Sequence, residues 1–177
     1  DEIRNSANPP FVFGYSYYGG SFARTKNAYQ SFAQTSPDGQ MSGLKAILEE
    51  NERVKRFGFQ EGEFERAKKS LLARLEKQFN DRDKLESNRI VYEYIYNYLE
   101  NEPIPGIAWE YEMTKSLLPT IQLTEIGALI NGFLHDENRV IVMTGPEKEG
   151  VDLVTEEEVN TLLETIKTAE IAPYQDE

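Results

Sequence analysis

A chain of 177 residues with 39% apolar content is long enough to bury one core. Its formal net charge of −12 excludes a surface that tracks nucleic-acid phosphates. The absence of cysteine excludes disulfides and thiolate metal sites, and no run of about eighteen apolar residues offers a membrane span. No signal peptide is read at the start, which is Asp1 and not methionine. The chain is expected to be a piece of something longer.

Asn8-Pro9-Pro10 reads as a linker or strand entry. Phe11–Tyr18 then predicts a strand with Phe11, Phe13, Tyr15 and Tyr17 on one face at period two. Such a face reads as the half-buried side of a sheet, with a ligand platform as the alternative. Gly19-Gly20 predicts a turn or bulge, and Gly19 to Asn27 an exposed hairpin loop. Ala28–Thr35 is the second strand, ended by the turn sequence Ser36-Pro37-Asp38-Gly39. Leu44, Ile47, Leu48 and Val54 form a helical stripe closed at Gly58; Phe64, Ala67, Leu71 and Leu75 form the next. Helical text runs from about Glu61 to Glu100. Unbroken it would span roughly 60 Å, so an interruption is expected near Asn80 to Ser87.

Ile90, Val91, Tyr94, Ile95 and Tyr98 continue with helical spacing until Pro103, Pro105 and Gly106 stop the run. Gly106 to Pro119 reads as irregular with a short helical piece. Leu123–His135 predicts a helix with Ile126, Leu129, Ile130 and Phe133 inward. Arg139–Gly145 is a β-branched run that predicts a strand buried on both faces. A last helix starts near Thr155, where Thr155 and Glu158 stand in capping-box relation. The order predicts an α+β fold: a small, mainly antiparallel sheet with a layer of helices, over residues 1–168, with 169–177 a linker.

The search for chemistry returns no catalytic, cofactor-binding or metal-ligating residue. His135 is the one histidine, so a His-x-x-Glu-His zinc site cannot be built within this segment, and a role at a helix end is expected for it. No Gly-x-Ser-x-Gly turn or phosphate loop is present. Glu61, Glu63 and Glu65, and Glu156-Glu157-Glu158, read as solvated helix faces.

At Arg53-Val-x-x-Phe57-Gly58-Phe59-x-x-Gly62-Glu63-Phe64-Glu65-Arg66-Ala67-Lys68 the chain resembles the pitrilysin/insulinase family of inverted-motif zinc peptidases, which includes the mitochondrial processing peptidases. The matched family text is a helix, Gly-Phe-Thr, then Glu-Leu-x-x-Ala-Lys. Tyr15 to Tyr18, the Ala28 to Pro37 hairpin, Leu118 to Ile126 and Val140 to Pro146 resemble further pieces in the family's order. Arg82 to Ser87 and Pro103 to Ile107 resemble a bacterial branch. Gln60 stands where the family often has threonine, a difference of roughly 1 kcal/mol at most.

The resemblance implies the later part of the second α+β unit of one peptidase half, in a clamshell around a peptide. The segment would be a non-catalytic wall that contacts substrate. Zinc, its ligands and the general base would lie in the parent protein's first unit, so this segment alone should be inactive. Its partners would be other units of the same polypeptide and peptide substrate, in the bacterial periplasm or another extracytoplasmic site. Two alternatives stand beside this: a non-catalytic scaffold like the core subunits of respiratory complexes, and an acidic helical binding module.

Overall fold

A computed structural model describes residues 7, 9–84, 86–147, 149–150 and 153–175. The chain divides into two compact units: Asp1–Phe59 with Ile126–Gln175, and Gln60–Glu125 with the last two residues.

In the first unit, β1 (Phe13–Gly20) and β2 (Asn27–Gln34) form a two-stranded antiparallel sheet, paired from Phe13 opposite Gln34 to Gly20 opposite Asn27. Gly19 and Gly20 lie inside the ladder and not in the expected turn. The loop closes one residue later, where the Ser21 amide donates to the Lys26 carbonyl at 2.9 Å.

Helix α1 (Gln40–Phe57) follows the Ser36–Gly39 turn and buries Gln40, Gly43 and Ala46 on its inner face. It ends at Gly58, whose φ of 69° and ψ of −159° lie in a region that essentially only glycine enters. Helix α1 packs against β2 and against α6 (Glu156–Thr168). Helix α5 (Leu123–Phe133) contributes Ile130, which with Ala46 and Ile166 makes the buried apolar set of this unit.

The start of α6 is built as its sequence predicts. The Glu158 amide donates to Thr155 Oγ1 at 3.3 Å, and the Thr155 amide donates to Glu158 Oε2 at 2.8 Å. The Thr155 amide and hydroxyl together hold the Glu158 carboxyl below its ordinary pKa. A carboxyl whose folded pKa is depressed stabilises the fold above its unfolded pKa and loses that contribution as pH falls through the folded value. Thr155→Ala is therefore expected to lower stability by about 1 kcal/mol at neutral pH in urea unfolding. The difference should shrink on acidification through the carboxylate range. An unchanged difference at acid pH would contradict the role given to Glu158.

The second unit holds α2 (Glu61–Asn80), α3 (Ser87–Glu100) and α4 (Ile107–Leu117). The expected interruption is present: α2 closes at Asp81, a single 3-10 turn spans Arg82–Lys84, and α3 begins at Ser87. At the start of α2 the Glu63 carboxylate accepts the Gln60 backbone amide at 2.9 Å. Helix α4 corrects the expectation of an irregular stretch. Ile107, Tyr111, Thr114 and Leu118 recur at spacings of four, three and four, and all are buried or half-buried. Gly106, at φ 80°, opens the helix, and Pro119 lies just past its end. The flanking prolines obscure in sequence a stripe that packing makes decisive. Phe79 of α2 stacks on Tyr111 of α4, with ring centroids 5.3 Å apart and planes 17° from parallel.

The sharpest departure is at residues 139–145. They form no strand, and among the described residues no backbone hydrogen bond joins them to another segment. Val140 is 83% exposed and Val142 78%, whereas Ile141 and Met143 are half-buried. The run is covered on one face only. A strand exists through its neighbours, and β-branched content cannot supply them.

Candidate functional site

The hairpin has two unlike faces because its side chains alternate. On one, Ser16 and Ser31 lie opposite each other with hydroxyl oxygens 2.8 Å apart. Asn51 of α1 ties this face down: its Nδ2 donates to Ser31 Oγ at 3.0 Å, and its Oδ1 accepts from the Tyr29 hydroxyl at 2.9 Å. Tyr18 stacks on Phe133 of α5, with centroids 3.8 Å apart and planes 11° from parallel. The Ser16, Tyr29 and Ser31 hydroxyls on this side are each paired within the unit.

The opposite face carries Phe13, Tyr15, Tyr17 and Phe32. Tyr15 and Phe32 are cross-strand partners with centroids 5.5 Å apart; Phe13 lies 5.6 Å from Tyr15 and 6.5 Å from Phe32. Tyr17 extends the row at 5.9 Å from Tyr15, and its hydroxyl accepts a hydrogen bond from Gln30 Nε2 at 2.8 Å. These four rings remain 42–48% exposed. Such a row offers apolar contact and ring faces with polar tips, held by the ladder at little entropic cost on binding. Beside it, Phe11, Gly14, Ala46, Ile47 and Glu50 line a shallow groove between the hairpin and α1. The sequence placed Phe11, Phe13, Tyr15 and Tyr17 together; Phe11 instead precedes β1, which starts at Phe13, and lines the groove beside Gly14. Phe32, which completes the cluster, came only from the register.

His135 lies just beyond α5 and its Nε2 is 2.8 Å from the Gly132 carbonyl, a helix-end role as expected. Asp136 pairs with Lys55 at 3.6 Å and Arg139 at 2.7 Å; Lys55 foremost, then Arg139, holds its carboxyl below the ordinary range. A hollow between Met41 of α1 and Glu157, Thr161 and Thr165 of α6 offers no free hydroxyl, because both threonines donate to their own helix backbone. Among the described residues no three His, Asp or Glu side chains cluster as metal ligands. The donor set of the described residues does not fit zinc.

No protein-family model matches the sequence. The arrangement of hairpin and helices is a pitrilysin/insulinase-like α+β fold, the class the sequence resembled. The chain superposes on the first half of the periplasmic protease PqqL from Escherichia coli with a TM-score of 0.71 and 14% identity, over 94% of this chain and 36% of that one. Over 74 residues, 42% of the chain, it is 32% identical to the zinc protease PQQL-like of Arabidopsis thaliana. It spans 8% of that relative's length.

Proposed function

We propose that this chain is a non-catalytic domain of a zinc metalloendopeptidase, forming chamber wall and contacting the peptide substrate. The observation that carries this reading is the hairpin, pinned to helices by one face while the other presents the Phe13–Tyr15–Tyr17–Phe32 row. An extended peptide laid along that row meets rings spaced to take alternate side chains. The similarity to a zinc protease and to half of a periplasmic protease supports the same reading. Residues 1–168 then act as one α+β domain, and 169–177 as the linker that leaves it. Zinc and the groups that activate water belong to other units of the same polypeptide, and the location is extracytoplasmic.

The test uses the polypeptide as its gene encodes it and a quenched peptide substrate. Replacing Tyr15 and Phe32 together by alanine removes the centre of the row and is expected to lower kcat/KM by about tenfold or more, mainly through KM, since each ring contact contributes roughly 1 kcal/mol. An unchanged KM in a folded variant would end the substrate-contact reading. The 177-residue chain alone is expected to cleave nothing in a chelator-sensitive manner. A gene lacking His-x-x-Glu-His would favour the scaffold alternative instead.

A further inference from the structure

The hairpin that carries the ring row is also set apart by charge. From Ile3 to Pro37 the sequence contains no Asp or Glu, although the whole chain has 31. The loop joining β1 to β2 carries two cations, Arg24 and Lys26. The Ser21 amide donates to the Lys26 carbonyl at 2.9 Å, and the Lys26 amide to the Ala23 carbonyl at 3.0 Å. This tight closure leaves Phe22, Arg24 and Lys26 exposed at the tip, Phe22 at 95%. Glu50, the carboxylate lining the groove beside the row, is already paired with Arg53 at 3.0 Å.

The register places the tip relative to the rings. Phe13 pairs with Gln34, Tyr15 with Phe32 and Tyr17 with Gln30, so the row runs along β1 toward the loop and Tyr17 is its ring nearest the tip. From Tyr17 to Ser21, where the loop starts, the strand covers roughly 14 Å at about 3.4 Å per residue. The long side chains of Arg24 and Lys26 shorten that gap. An extended peptide rises at nearly the same rate, so residues about two to four positions beyond the one over Tyr17 come within the span of the tip.

We infer that the hairpin tip selects peptides by charge, with Arg24 and Lys26 taking a carboxylate carried about two to four residues beyond an apolar side chain seated on Tyr17. This rests on reading the row as a peptide contact. The carboxylate is that of an Asp or Glu side chain or of a free C-terminus, since both present the same two oxygens to a cation. The net charge of −12 does not reverse the preference, because at physiological ionic strength charges beyond about 8 Å are largely screened. A lipid surface fits less well. Ser21–Lys26 offers it one large apolar side chain, Phe22, whereas rings and cations follow one another along a line that suits an extended chain.

Fluorescence anisotropy of labelled peptides tests this on the gene-encoded full-length polypeptide, with chelator present to prevent cleavage. Two C-terminally amidated peptides share an alternating apolar segment and differ only in a Glu or a Gln about three positions beyond it. The Glu peptide is expected to bind about fivefold more tightly in about 20 mM salt, and the ratio should fall toward one in about 0.5 M salt. Arg24→Gln with Lys26→Gln should bring the ratio close to one, and Lys26→Gln alone should remove part of it. Arg24→Lys with Lys26→Arg should keep it, which separates charge from the shape of the loop. Freeing the C-terminus of the Gln peptide distinguishes the two sources: tighter binding adds the chain end, and unchanged binding assigns the side chain alone.

Equal affinity for the Glu and Gln peptides would overturn the inference, as would a ratio that survives the double glutamine variant. Equal affinity together with sedimentation on phosphatidylglycerol vesicles that the double variant loses would give the tip to a lipid surface instead. Tyr15→Ala with Phe32→Ala separates this inference from the functional reading. If that variant weakens both peptides and the parent shows no Glu preference, the row stands and the charge selection falls. If it changes neither affinity while the preference remains, the row is removed from peptide contact and the charge selection stands. Binding of neither peptide would remove both.

Discussion

Arg56→Ala lowers the stability of the chain by about 2 kcal/mol in urea unfolding, with a fall in Tm of roughly 4–8 °C. The guanidinium reaches from the last turn of α1 to the end of α6. Nη1 donates to the Ala169 carbonyl at 2.7 Å, and Nη2 to the Ile166 and Lys167 carbonyls at 3.1 and 3.0 Å. Nε donates to Glu52 at 2.6 Å, which fixes the fork in place. The last carbonyls of a helix have no partner within it and carry the negative end of its dipole, so a cation with several donors is well matched to them. The side chain is 27% exposed, which limits screening by water.

Arg56→Lys keeps the charge but not the planar fork, and should recover less than half of the loss. Glu52→Ala, which removes one ion-pair partner, should cost less than about 1 kcal/mol. Neighbouring Arg53 donates to the Ala172 carbonyl, so the alanine variant at 56 should also speed exchange of amides just beyond α6. An Arg56→Ala variant within about 0.5 kcal/mol of the parent would show that water replaces the fork at no loss.

Gly43→Ala is expected to destabilise by about 2 kcal/mol, although alanine is the better helix former by about 1 kcal/mol. Gly43 is buried on α1, and a Cβ there would stand 2.2 Å from Thr35 Cγ2 and 3.3 Å from the Pro10 carbonyl oxygen. The nearest obstacle is the methyl group of a short β-branched side chain, which has no long arm to swing aside. Thr35→Ser removes that methyl. In the serine background Gly43→Ala should become neutral or stabilising, giving a coupling of 2 kcal/mol or more, about the upper range for residues in contact. If alanine stabilises the Thr35 chain, the helix does not lie this close to the loop before it.

Much of this fold follows from local rules that act within a few residues. The Thr155–Glu158 box, the glycine closing α1 and the break between α2 and α3 each depend on neighbours in sequence, and each stands where the residues put it. The aromatic face of β1 was equally legible, because alternation in a strand is fixed by backbone geometry. Helix α4 was harder, since its stripe is short and prolines flank it; Tyr111 packing against Phe79 decides it. Residues 139–145 were misread for the complementary reason: a β-branched run states a preference, and pairing requires a second strand that these residues do not contain.

The candidate site divides along the same line. Composition and periodicity alone determined an acidic α+β chain with a ring-bearing strand. They left open whether the rings faced a core or stayed open, and they said nothing of Phe32. Only tertiary structure decided these points, because which face of a hairpin is covered depends on where α1 and α5 lie, through Asn51 and Phe133. The Arg56 fork belongs to the same class: it joins residues more than a hundred positions apart, a distance no local pattern spans.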